Sequence, residues 1–128
     1  MFECKPEETT FFALTYPFSY TECQALLEKY EAAYYNHPTV YFHRELLATS
    51  IEGRRVDLLT ITRKVPMEKI TEDYLPDLFP EGKERPLRFN KPTIFVTARV
   101  HPGETQGSHM MNGLLSFLLG KYSCISLF

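Results

Sequence analysis

An α/β fold is what the sequence predicts, on three observations. Two runs rich in β-branched and aromatic residues, 40–49 and 55–63, flank a turn at Gly53; a third, mostly apolar run at 93–100 reads as a buried strand; and segments 21–34 and 105–119 repeat their apolar residues at intervals of three and four. Together these read as the first portion of a mixed sheet with flanking helices.

Length and charge narrow the classes open to the chain. One domain of ordinary size is what 128 residues allow. A net charge of -2 with 44% hydrophobic residues excludes disorder and, by charge, nucleic-acid binding. Residues 1–50 hold three Lys/Arg against seven Asp/Glu, and residues 51–128 hold eleven against nine. The second half could therefore face an acidic substrate, although a mixed solvated surface explains the same balance. Cys4, Cys23 and Cys124 are odd in number and form no Cys-x-x-Cys pair, which fits reduced thiols in a cytosolic protein. No signal peptide is evident, and the run Leu114 to Leu119 is too short to span a bilayer.

The elements follow in order. Phe11 to Tyr20 begins as a short apolar strand and is stopped by Pro17. Thr21-Glu22-Cys23-Gln24 has the spacing of a capping box and starts a helix, with Leu26, Leu27, Tyr30, Ala33 and Tyr34 as its apolar stripe. That helix ends before Asn36-His37-Pro38, where His37 is read as a loop residue. Val40 to Thr49 and Arg55 to Arg63 form a hairpin in which Gly53 supplies a positive backbone angle. Neither face of its second strand is fully polar, so the sheet is expected to be covered on both sides. His43 is assigned to packing, and Arg54 and Arg55 to a solvated rim.

Lys64 to Pro92, divided by five prolines, reads as a surface excursion, with one short helix from Met67 to Leu75 that places Met67, Ile70, Tyr74 and Leu75 on one face. Thr93 to Val100 reads as a buried strand. The last helix, 105–119, carries an apolar stripe of Met110, Met111, Leu114, Phe117 and Leu118 and ends at a Gly120 cap. His109 lies eight residues from His101 and is placed at the surface or in packing.

Chemistry is concentrated between the strand and that helix. His101 and Glu104 stand three apart in His101-Pro102-Gly103-Glu104, where a loop leaving an α/β sheet normally carries function. Pro102 fixes one backbone angle and Gly103 frees the next, so a tight bend can bring the imidazole and the carboxylate onto one point. That donor pair suits zinc, but a catalytic zinc takes three protein ligands. A lone His-x-x-Glu is a weak motif, and a plain loop remains open on spacing alone.

The surrounding residues are more specific. Arg99-Val100-His101-Pro102-Gly103-Glu104-Thr105, followed by Asn112-Gly113, resembles the first zinc-ligand segment of the carboxypeptidase A type of zinc metallocarboxypeptidases. More narrowly, it is similar to the cytosolic carboxypeptidases that remove glutamates from tubulin tails. Phe12 to Thr21, His43-Arg44-Glu45-Leu46-Leu47 and Arg55 to Thr62 resemble the opening of the same catalytic domain, so the similarity runs from about Phe11 to Tyr122. It is strongest to the members associated with the branch-point glutamate.

The resemblance implies residues 1–10 as a remnant or linker from an amino-terminal β-sandwich, 11–122 as the first part of the catalytic domain, and 123–128 as a tail. It implies one zinc ion, with His101 and Glu104 as ligands and the third ligand a downstream histidine; none of the other three histidines fits that place. The general base is implied to lie beyond Phe128, so no catalytic residue is assigned within the chain, and Arg99 receives no role. The implied activity is zinc-dependent removal of glutamates from polyglutamylated proteins such as tubulin, in the cytoplasm, with cytoskeletal and nuclear association also open. No nucleic-acid or membrane partner is implied. On this reading the chain is truncated, its sheet is incomplete, and it is inactive alone; the alternative is a non-catalytic fragment that binds tubulin or another partner.

Overall fold

The computed structural model describes residues 3, 5–65 and 70–120. Two helices and one antiparallel hairpin make an α/β arrangement: α1 (Tyr20–Tyr34), β1 (Val40–Thr49), β2 (Arg55–Arg63) and α2 (Thr105–Leu119).

A capping box starts α1, two residues earlier than expected. Ser19 is extended, its hydroxyl accepts from the Glu22 amide at 3.1 Å, and the Glu22 carboxylate accepts from the Ser19 amide at 2.6 Å. The expected partner, Gln24, is taken by the hairpin instead: it donates to Asp57 at 2.9 Å and accepts from Arg44 at 2.6 Å. Leu27 is buried on this helix, and Leu26, Tyr30 and Tyr34 are half-buried, while Ala33 is exposed. After the helix His37 is a structured loop residue, because its Nδ1 accepts from the Val40 amide at 3.2 Å and so fixes the entry to β1.

The hairpin has the strand limits read from the sequence. Pairing runs from Val40 opposite Arg63 to Thr49 opposite Arg55, with a bulge between Leu46 and Ala48. Gly53 takes φ +73°, and its amide closes the turn onto the Ser50 carbonyl at 2.9 Å. Val40 and Phe42 form the buried core with Leu119, and Tyr30, Tyr34, Leu59, Ile61 and Leu118 pack against it. Arg44 lies on the same face, in a network with Asp57, Glu31 and Gln24. Arg55 corrects the rim assignment: it is half-buried and donates to Asp57 at 3.0 Å and to Glu81, whereas Arg54 is exposed and pairs with Glu52. Burial pushes the Asp57 carboxyl up, but hydrogen bonds from Arg44, Gln24 and Arg55 outweigh it and hold the group below the usual carboxylate range.

The second face of the hairpin is covered by the excursion, which therefore is more than surface loop. Glu45 pairs with the buried Arg85, Tyr41 accepts from the Leu87 amide at 2.9 Å, and the rings of Tyr41 and Phe89 meet edge to face. Of the expected helix from Met67 to Leu75, residues 66–69 lie outside the described residues. Residues 70–75 are not helical: Thr71 bridges to Leu87, and the Glu72 amide donates to the Pro86 carbonyl. Local periodicity loses here to pairing with 86–88.

Two expected strands are not formed. At 11–16 no strand occurs, and Phe11, Phe12 and Leu14 are exposed. At 93–100 no strand occurs either, with Ile94 87% and Phe95 74% exposed. A strand exists through its ladder, and the sheet among the described residues holds β1 and β2 alone.

The α2 helix has the expected limits but a rotated inner face. Thr105, Ser108, Leu115 and Leu119 are buried, Met111, Leu114 and Leu118 are half-buried, and Met110 and Phe117 are exposed. Its last turn is docked by Tyr30 against Ser116 at 2.9 Å and by the Tyr34 hydroxyl on the Leu119 carbonyl, which sets the rotation. Gly120 ends the helix with an extended backbone rather than a left-handed one; a Cβ there would lie 2.5 Å from the Ser116 carbonyl oxygen. No helix among the described residues is long and apolar enough to cross a membrane.

Candidate metal centre

The site is built by the turn that enters α2. Arg99 takes φ +63°, the Glu104 amide donates to the His101 carbonyl at 3.1 Å, and the Gly107 amide donates to the Glu104 carbonyl at 3.1 Å to open the helix. Gly103 is not left-handed, and a Cβ there would meet nothing within 4 Å, so the bend does not depend on its freedom. Glu104 is the N-cap of α2 but makes no capping hydrogen bond with its side chain. That carboxylate is turned the other way, onto the imidazole.

His101 Nδ1 and Glu104 Oε1 lie 2.9 Å apart, and the two side chains are 74% and 58% exposed. The expected convergence of imidazole and carboxylate is therefore present. Borderline-soft nitrogen and hard oxygen are the donor types that zinc takes, so the chemistry of the pair fits this metal at two of three protein positions. No group of three or more His, Cys, Asp or Glu able to hold a metal occurs among the described residues.

The other histidines stand elsewhere. His109 is exposed on α2, edge-on to Phe18 with ring centroids 5.4 Å apart. His43 lies in β1, stacked on Tyr41, with its Nε2 buried and unpartnered, and burial pushes its pKa below the ordinary value. Cys23 is a free thiol on α1, pushed up by burial; Cys4 and Cys124 lie outside the described residues.

One residue beside the site was given no role in the sequence reading. Arg99 Nε donates to the Pro102 carbonyl at 2.7 Å, and its Nη1 reaches the Phe18 carbonyl at 3.0 Å and Ser108 Oγ at 3.4 Å. Strand alternation would put Arg99 on the His101 side, but 93–100 forms no strand and Arg99 takes a positive φ, so that alternation does not apply.

The ligand-type pair at the mouth of a helix marks the class: residues 16–126 match the zinc carboxypeptidases, and the chain belongs to that family. Over 121 residues it is 48% identical to cytosolic carboxypeptidase-like protein 5 of Homo sapiens, covering 87% of this chain and 14% of that protein. Over 110 residues it is 38% identical to cytosolic carboxypeptidase 6 of Caenorhabditis elegans, covering 86% and 19%. Human cytosolic carboxypeptidase 1 is 34% identical over 118 residues, covering 90% and 8%. The chain thus spans less than a fifth of the length of each of these relatives.

Proposed function

We propose that this chain supplies the first metal-binding segment of a cytosolic zinc metallocarboxypeptidase that removes glutamates from polyglutamylated proteins, tubulin among them. His101 and Glu104 are the zinc ligands of this reading, and the observation that carries it is their 2.9 Å convergence at the start of α2. In a metallocarboxypeptidase the bound zinc supplies a Lewis acid for the scissile carbonyl and a water of lowered pKa. The part played by this chain is to hold the imidazole and carboxylate together on a short turn, at the start of a helix whose last turn packs on the hairpin through Leu119 and on α1 through Tyr30 and Tyr34. A cytoplasmic location goes with this reading, since the relatives are named as cytosolic carboxypeptidases.

With two donors and no assigned general base, the 128-residue polypeptide by itself is expected to turn over no substrate. The test is a chimera in which residues 16–126 replace the matching segment of human cytosolic carboxypeptidase-like protein 5. Chelator-sensitive release of glutamate from a glutamate-tailed peptide is expected from the chimera, and none from its His101→Ala variant or from the isolated chain. Equal release with and without His101 would overturn the ligand assignment.

A second reading, a non-catalytic module that binds tubulin or another partner, is favoured by the exposed apolar side chains of Phe11, Leu14, Ile94 and Phe95. Sedimentation of the isolated chain with microtubules separates it from the first reading.

A further inference from the structure

We infer that Arg99 is the positioning residue of the metal centre: its guanidinium braces the turn that holds His101 against Glu104. The inference rests on the assignment of those two residues as ligands, and it adds a third, non-ligating participant.

Three observations carry it. First, the guanidinium spans three separate pieces of chain: Nε holds the Pro102 carbonyl inside the ligand turn, while Nη1 holds the Phe18 carbonyl ahead of α1 and Ser108 Oγ one turn into α2. The ligand turn is thereby tied to both helices through one planar group, and the fixed fork of arginine suits several acceptors at once. Second, the backbone of Arg99 is at φ +63°, a region that side chains other than glycine seldom adopt, so this conformation is held by the surroundings. Residue 99 carries a side chain there because the contacts need one. Third, the backbone is pressed against α2: a Cβ on Gly107 would lie 3.4 Å from the Arg99 amide nitrogen and 3.9 Å from the Ala98 Cβ. The turn therefore has little room to move away from the helix.

The turn's own backbone hydrogen bonds, Glu104 amide to His101 carbonyl and Thr105 amide to Gly103 carbonyl, are local and do not tie it to the segment ahead of α1. His101 and Glu104 are both exposed, and the side chain of the N-cap residue is spent on the imidazole instead of on the helix amides. A ligand pair on an exposed turn keeps its geometry only if the turn is held, and groups that orient metal ligands from behind raise affinity by about 10- to 100-fold.

The test follows the ring nitrogens of His101 by long-range 1H–15N correlation in the 128-residue chain, wild type beside Arg99→Lys and Arg99→Gly. Lysine keeps a cation but loses the fork. Glycine removes the side chain and adopts positive φ freely, so it deletes the guanidinium without a backbone penalty. In the wild type Nδ1 is expected at the shift of a hydrogen-bonded nitrogen, and in both variants it moves toward that of a free imidazole, with His37 and His43 unchanged. Unaltered His101 nitrogens in both variants would overturn the inference. So would a joint collapse of the His37, His43 and His101 signals in both, which would make Arg99 a general folding residue. Zinc alone is then titrated into the metal-free chimera described above, which supplies the third ligand, and into its Arg99→Lys and Arg99→Gly forms: the variants are expected to need about 10- to 100-fold more zinc. If the wild-type chimera takes up no zinc, the ligand assignment fails while the ring-nitrogen comparison still decides the bracing.

Discussion

Arg85 Nε donates to the Glu45 carboxylate at 2.8 Å, and both side chains are buried. The same guanidinium donates to the Asp73 carbonyl at 2.6 Å and lies 3.4 Å over the ring of Phe79. A segment of little regular structure is thus fastened to the second face of the hairpin by one side chain. Arg85→Ala would leave the Glu45 carboxylate buried and unpaired, since its other oxygen has no partner already. The expected loss is about 3–5 kcal/mol. Urea unfolding checks it, with limited proteolysis expected to cut within 70–92 first.

Ser19, rather than Thr21, begins α1. Ser19→Ala is expected to cost about 1 kcal/mol, because it removes the acceptor for the Glu22 amide. Thr21→Ala is expected to fall within about 0.5 kcal/mol of wild type. Thermal melts of the two variants side by side distinguish the caps.

His43 should make the fold sensitive to mild acid. Burial lowers its pKa below the ordinary 6.5, so the unfolded chain binds a proton more readily than the folded one. Its contribution is therefore complete above pH 6.5 and is lost as the pH falls from there through the folded value. Asp57 acts only further down, its contribution being lost below its ordinary 3.8. Melting temperature is expected to drop between pH 7.5 and 5.5, and His43→Phe to reduce that drop. An equal drop in the variant would remove His43 as the cause.

Where the sequence was legible, the determinants are local. The hairpin is set by two runs rich in β-branched and aromatic residues and by Gly53 at positive φ, all within 24 residues, and its limits agree with the reading. His101 and Glu104 converge because three residues separate them across a turn. The apolar run 93–100 looks no different from a buried strand, yet whether it becomes one depends on a neighbouring edge that its own residues do not encode. The inner face of α2 was missed for a similar reason: Leu115 and Leu119 are buried because Tyr30 and Tyr34 dock the last turn, while hydrophobicity alone favours Met110 and Phe117 equally. Arg99 escaped because a positive φ at a non-glycine residue leaves no mark in the sequence.

Zinc content tests the central assignment most directly. In the chimera described above, purified without added metal and measured by elemental analysis, one zinc per polypeptide is expected. His101→Ala is expected to reduce it to background, with Glu104→Ala close behind. One zinc retained in His101→Ala at the wild-type level would contradict the account, and the His101–Glu104 pair would then be an ordinary hydrogen bond on an exposed turn.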